Sequence, residues 1–441
     1  MRQDSYSEKT GELTMLWLYF GFVAAVACWT LCSGLTTTAE MKLFYFLTLL
    51  VLLVSEMVGI LIWRKKRNLY SCVTTVLILA NVGASLAYRM NQMKTEAADE
   101  VSHSEQYFED MILMIMVFGL VYFIVRFTHI YQLKIVNQII IAALPVVLVI
   151  TRISGEKSGG AYITFFGILI FAIVLAGYPF ATAYFLSREE KGYLHRGVRS
   201  MPLNLVSYLG YTFILYAGCV ICNEFGLLLV VGITSTLLFY IRSKNFRTKL
   251  LYTAVCGAGA LLSCILSGHI QERVYILMHL SEITPEHPLA GKAESVLYVF
   301  RNLPRTGFWG NGLGSIPVSI YPTLNTDHAF VALMLEYSLM FAAIILLISI
   351  FYVKALLSGC YADNLYDYIV NLCCALIIGT IILIHIGSNL GSSITAGVGM
   401  PYVSEGSAVN IMLAGLTAVH CGIYERGRIH ALSEEKEIYE N

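Results

Sequence analysis

The chain has 441 residues, a formal net charge of +0, 57% hydrophobic residues and only 13% charged ones. A soluble globular domain carries about 25% charged residues, so this composition excludes soluble, disordered and coiled-coil classes. The balanced charge leaves no electrostatic footprint for nucleic acid. The apolar residues fall in runs of about 18–25, the length that crosses ~30 Å of hydrocarbon as helix.

In chain order, these runs lie near 14–35, 42–63, 69–88, 110–130, 134–152, 161–186, 203–221, 225–241, 248–267, 328–353, 366–390 and 406–424. The pattern predicts an all-α polytopic membrane protein of about twelve transmembrane helices. The first run is too long for a signal-peptide core and reads as a retained span. Most cysteines sit inside apolar runs, where cysteine acts as a small hydrophobe. Cys219 and Cys222 have redox spacing but close a membrane helix, which argues against that role.

Loop charge sets the orientation. Arg64–Arg67, then 187–202 (Arg188, Lys191, Arg196, Arg199) and 242–249 (Arg242, Lys244, Arg247, Lys249) are basic. In a twelve-helix count all three loops share one side, the cytoplasm, and both termini join them. The acidic loop at 89–109 and the long segment 268–327 face out. That segment is far longer than an ordinary connection, yet it keeps aromatic and aliphatic residues. A folded cap on the outer face is expected. Residues 431–441 form a short cytoplasmic tail.

Asp327 stands at the lip of an apolar run, in Asn325-Thr326-Asp327-His328-Ala329-Phe330. It suits either a helix N-cap or a catalytic carboxylate. Glu336, nine residues on, would be costly in lipid unless paired or facing a polar cavity. Residues 385–407 are too rich in Gly, Ser and Thr for an ordinary lipid-facing helix. They read as a broken segment beside a cavity or as tight small-residue packing.

These stretches, in this order, resemble the SEDS family (FtsW, RodA, SpoVE), the membrane polymerases of peptidoglycan. Asn223-Glu224-Phe225-Gly226 is similar to that family's Q-P-D-L-G turn. Gly307 to Gly314, followed by Asn325 to Phe330, resembles G-x-x-G-x-G-L-G followed by H-T-D-F-I-F, with Glu336 on the family's glutamate. Residues 385–407 align without gaps to N-I-G-V-N-L-G-L-L-P-V-T-G-V-P-L-P-F-V-S-Y-G-G. Gln271-Glu272-Arg273 looks like its Q-x-R. The resemblance covers about 69–430, a ten-helix core; residues 1–68 would be an additional two-helix segment. The family's G-A-R-R-W and Q-P-S-E-x-x-K signatures are missing near 158–178, where Tyr162 stands near the tryptophan's place. The chain is therefore a divergent member.

The resemblance implies an inverting, lipid-linked glycosyltransferase that polymerises lipid II at the outer face of a bacterial cytoplasmic membrane, in division, elongation or sporulation. It implies Asp327 as the catalytic base. It implies undecaprenyl-pyrophosphate-linked glycan as substrate and a class B penicillin-binding protein, a transpeptidase, as partner. Arg273, Arg301, Arg305, Asn325, Thr326, Glu336, Asn389 and Ser404 are the candidate substrate-binding residues. The leaving pyrophosphate needs arginine charge or a divalent cation, Mg or Mn. No metal-ligand cluster is visible in the sequence, and no organic cofactor is expected. Glu224 reads as a turn carboxylate outside the chemistry. A flippase for lipid-linked precursors, an O-antigen ligase or polysaccharide polymerase, and an inactive scaffold remain alternatives.

Overall fold

In a computed structural model, the residues described are 67–90, 103–158, 161–188, 193–196, 199–243, 245–306, 311, 324, 326–360, 362–391 and 397–440. Ten of the twelve apolar runs lie in this set, and each yields a helix. The runs at 14–35 and 42–63 lie outside the described residues. The helices are α1 (Arg67–Met90), α2 (His103–Phe127), α3 (Lys134–Ser154), α4 (Ile170–Leu186), α5 (Leu203–Ile221), α6 (Phe225–Arg242) and α7 (Phe246–Leu266). After them come α8 (Gly268–Met278), α9 (Ala290–Asn302), α10 (Ala329–Glu336), α11 (Leu339–Ser358), α12 (Leu365–Asn389) and α13 (Ser407–Glu440). Among the described residues, seven helices are long and apolar enough to cross a membrane, and α4 is a shorter apolar helix.

Two apolar runs do not form the single helices expected. In 161–186 the first residues pair as two-residue strands. Lys157–Ser158 pairs with Ala161–Tyr162, and Thr164–Phe165 pairs with Ile168–Leu169, both antiparallel. β-Branched and aromatic residues suit either state, and hydropathy does not separate them over so short a run. The run 328–353 is broken instead of continuous. Ser338 caps α11, its hydroxyl accepting from the Phe341 N–H at 2.8 Å. Serine offers the backbone a partner outside the helix ladder, which is why it favours caps over helix interiors. The short piece before the break, α10, is buried along all eight residues.

Helix α12 is the centre of the bundle. It packs on α4, α6, α11 and α13, while α13 lies along α2. Large apolar side chains on α2 and α3, such as Leu120, Phe123, Ile139 and Ile153, remain exposed at the periphery. Such a surface is stable against lipid and not against water. The described residues that follow α7, 268–306, are folded. Helices α8 and α9 close a small core of Ile276, Ile283 and Ala293, and Lys292 Nζ binds Glu272 Oε2 at 2.5 Å between them.

One end of the bundle is tied by buried charge. Asp367, in the first turn of α12, accepts from Tyr131 Oη at 2.8 Å, Gln132 Nε2 at 2.8 Å and Asn364 Nδ2 at 3.0 Å, and pairs with Arg426 of α13. Arg126 of α2 binds Glu425 at 2.8 Å beside it. Breaking a buried pair from one side leaves an uncompensated charge, at a cost of about 3–5 kcal/mol. Asp367→Ala is expected to lower the melting temperature of the detergent-purified protein by a corresponding margin. An unchanged melting temperature would show that this latch does not hold the bundle.

Candidate functional site

The other end of the bundle gathers Asp327, Arg273, Glu224 and the backbone of 397–404. The local reason begins with α10. A helix N-terminus leaves N–H groups without intrahelical acceptors, and here it is buried. His328 occupies the N-cap position and makes no side-chain cap bond. The acceptors come from the last turns of α12. His385 Nε2 takes the Phe330 N–H at 3.4 Å, and Asn389 Oδ1 takes the Val331 N–H at 3.1 Å. The Asn389 amide in turn donates to the Asp327 carbonyl at 2.8 Å and to the His385 carbonyl at 2.8 Å. His385 Nδ1 lies 2.8 Å from the Val398 carbonyl. An acceptor at one ring nitrogen and a carbonyl at the other require the neutral Nδ1–H form.

The capping function is thus supplied by α12, and the Asp327 side chain is directed elsewhere. A methyl placed on Gly397 would stand 3.9 Å from both Asp327 Oδ2 and Arg273 Nη1, and Gly397 has a φ of +64°. The carboxylate and the guanidinium therefore face the same backbone turn, at a conformation that favours glycine. Ser404 fixes the neighbouring strand of chain. Its hydroxyl donates to the Thr326 carbonyl at 2.7 Å and accepts from the Met400 N–H at 2.6 Å. The Thr326 side chain hydrogen-bonds the Asp327 carboxylate.

The electrostatics follow from depth and proximity. Burial pushes the Asp327 carboxyl above the usual carboxylate range, against the pull of Arg273 and of the Thr326 bond. Burial also lowers the Arg273 guanidinium, which Asp327 and Glu224 counter; an arginine so placed still keeps its charge. Glu224 is pushed up to about 7 by burial, with Arg273 opposing and the Asp327 charge adding to the rise. His269, on α8, is lowered by burial and then by Arg273. The site retains some solvent access at Asp327, Arg273 and Glu224.

Of the candidate residues, Asp327, Thr326, Arg273, Asn389 and Ser404 come together here. Arg301 is exposed on α9. Glu336 is buried at the far end of α10, about 10 Å along the axis at 1.5 Å per residue. Asn325 and the Arg305 side chain lie outside what is described. The segment 385–407 is helical through Asn389 and irregular from 397, with a turn between; residues 392–396 lie outside the described set. Gly391, at a φ of +72°, lies so close to the Phe300 ring that a methyl there would meet it at 2.5 Å, which docks α9 on the end of α12. Glu224, read from the sequence as a turn carboxylate, stands at the N-cap of α6 within the Q-P-D-L-G-like turn. Among the described residues no group of three or more His, Cys, Asp or Glu is arranged to hold a metal ion.

The comparisons with known proteins identify the family and the fold. The FtsW/RodA/SpoVE family, described as cell cycle proteins, matches residues 69–423, and the chain belongs to that family. Among solved structures, a peptidoglycan synthase complex described as coordinating polymerization and crosslinking contains a chain 15% identical, with a TM-score of 0.59, covering 80% of this chain and 97% of that one. The rod shape determining protein RodA of Thermus thermophilus is 14% identical, with a TM-score of 0.53 over 81% of this chain and 97% of that one. At such identities the likeness is one of fold. No curated protein matches the sequence significantly.

The trans cap has a measurable consequence. Asn389→Leu leaves the buried Val331 N–H and the Asp327 carbonyl without this partner. One unsatisfied buried group costs about 1–3 kcal/mol. Thermal unfolding of the variant is expected to show a loss of that order. A variant as stable as the parent would mean that the α10 terminus finds its acceptors elsewhere.

Proposed function

We propose that this protein is an inverting, lipid-linked glycosyltransferase that polymerises lipid II into glycan strands. Family membership supports a role in peptidoglycan synthesis. The observation that carries the finer reading is the disposition of Asp327. A carboxylate relieved of capping, facing Arg273 and still reached by solvent, is suited to take a proton from a bound hydroxyl.

In this reaction the acceptor sugar's 4-hydroxyl attacks the anomeric carbon of a chain held on undecaprenyl pyrophosphate. The α-linked donor gives a β-1,4 bond, so configuration inverts. Asp327 accepts the hydroxyl proton as the bond forms. Arg273 is the protein's own positive charge at the site for the leaving pyrophosphate. Asn389, Thr326 and Ser404 hold the Asp327 backbone and side chain in place. The positive-inside rule puts the basic loops and both termini in the cytoplasm and the site at the outer face of a bacterial membrane. A class B penicillin-binding protein is the proposed partner, in keeping with the crosslinking activity named for the similar complex. A flippase reading is less well supported. The buried Asp367 and Glu425 are locked to arginines at the opposite end, which favours a fixed scaffold over alternating access.

Asp327→Asn tests the reading. The amide keeps the shape and Asp327 does not cap α10, so the variant should stay folded, with a stability loss no larger than the ~3–5 kcal/mol that one-sided loss of a buried pair costs. It is unable to accept the proton, so polymerisation of lipid II should fall by about 10²- to 10⁴-fold. Near-normal polymer from this variant would remove Asp327 as the base.

A further inference from the structure

The paired strands between α3 and α4 end in a tip that water does not favour. Thr164–Phe165 pairs with Ile168–Leu169, so Phe166 and Gly167 alone make the turn. Both have a positive φ, +48° and +79°. A type I′ hairpin turn demands this, and it favours asparagine or aspartate ahead of the glycine. A bulky aromatic side chain fits a left-handed position poorly. Phe166 is moreover 88% exposed. Its neighbour Phe165 packs on the core, and the two rings meet edge to face at 4.8 Å. In water, a phenylalanine at the tip helps neither the turn nor its solvation.

The tip stands on a fixed base. The Ile163 N–H donates to the Glu156 carbonyl at 3.0 Å, the Ile170 N–H to the Ile163 carbonyl at 2.9 Å, and the Tyr162 N–H to the Cys222 carbonyl at 2.9 Å. The last bond ties the hairpin to the turn between α5 and α6. Ser267 Oγ donates to Asn223 Oδ1 of that turn at 3.0 Å while capping α8, the helix that carries Arg273. The hairpin therefore lies at the Asp327 end of the bundle. It also packs on α3. Ile135, Ile139, Val146, Val149 and Ile153 of α3 are each more than half exposed. At 3.6 residues per turn they fall within about 40° of one line along the helix. This lipid-facing stripe ends at Ile153, 79% exposed, just before the hairpin.

We propose that the hairpin tip is an interfacial anchor. Phe166 inserts where lipid headgroups meet acyl chains, at the end of the α3 stripe, and so holds this wall of the site at headgroup depth. The occupant is a lipid surface. Aromatic residues gather at that level, and interfacial elements bury their apolar groups ~5–10 Å into the boundary. The exposed Arg152 lies over the Tyr162 ring, 4.4 Å from its centroid, which sets on the same hairpin a cation suited to a lipid phosphate. A protein partner needs about 1,000 Å² of buried surface. A two-residue tip offers about the 150–250 Å² of one aromatic side chain. Membrane contact at Phe166 is independent of the role of Asp327.

The test is tryptophan emission from the full-length protein in vesicles of phosphatidylcholine and phosphatidylglycerol. The lipids carry bromine near the top or near the middle of the acyl chain. Phe166→Trp is read as the difference from the parent, which has four native tryptophans. Its emission should fall about twofold with bromine near the top of the chain, the depth of an interfacial group. It should fall less with bromine at mid-chain and resist aqueous iodide. Val146→Trp, about 12 Å along α3 from its end at 1.5 Å per residue, should show the reverse order of bromine depths. Ile168→Trp carries the same expectation as Phe166→Trp should that variant fail to fold. Emission quenched by iodide and not by brominated lipid would put the tip in water and overturn the proposal. Emission quenched by neither would mean that protein covers it, another segment of this chain or a second copy, and overturns it equally.

Discussion

The site depends on the buried start of α10 borrowing its hydrogen-bond acceptors from α12. Backbone N–H groups withdrawn from water must find partners, and at membrane depth none come from solvent. His385 and Asn389 supply them across the bundle. The same Asn389 amide grips the Asp327 carbonyl. One asparagine thus secures the helix and fixes the residue just before it, and the Asp327 carboxylate is left to face Arg273. Ser404 adds a second hold through the Thr326 carbonyl. The glycine at 397 lets backbone pass close to both charges.

Much of this was legible in the sequence, for physical reasons. Long apolar runs leave few options but helix, and those in the described residues formed helices. Asp327 stood out because it stands at the lip of an apolar run within a stretch that resembles the family's H-T-D-F-I-F motif, although its own neighbourhood suited an N-cap equally well. The segment 385–407 stood out because glycine, serine and threonine at that density do not suit a lipid-facing surface. What escaped was whatever depends on residues distant in sequence. Whether Asp327 caps α10 cannot be judged from its own neighbourhood, since the acceptors lie some sixty positions away. The tie between the turn at Asn223 and the start of α8, through Ser267, was likewise invisible locally. The strands within 161–169 and the break at Ser338 were hidden by hydropathy, which records burial and not backbone path.

The departure from the family pattern near 158–178 also gains a structural meaning. The residues there form small paired strands between α3 and α4. Arg152 lies 4.4 Å over the Tyr162 ring and bonds its hydroxyl at 2.5 Å. The Tyr162 backbone in turn supports the Cys222 carbonyl, next to the Glu224 turn. An arginine–tyrosine stack therefore braces one wall of the site where the expected signature is absent.

The most direct test of the account is whether purified protein, alone and with a class B penicillin-binding protein, converts purified lipid II into glycan strands. The account predicts β-1,4-linked polymer, released undecaprenyl pyrophosphate and inverted configuration at the anomeric carbon. Lipid II carried across a vesicle bilayer with no polymer formed under either condition would contradict it.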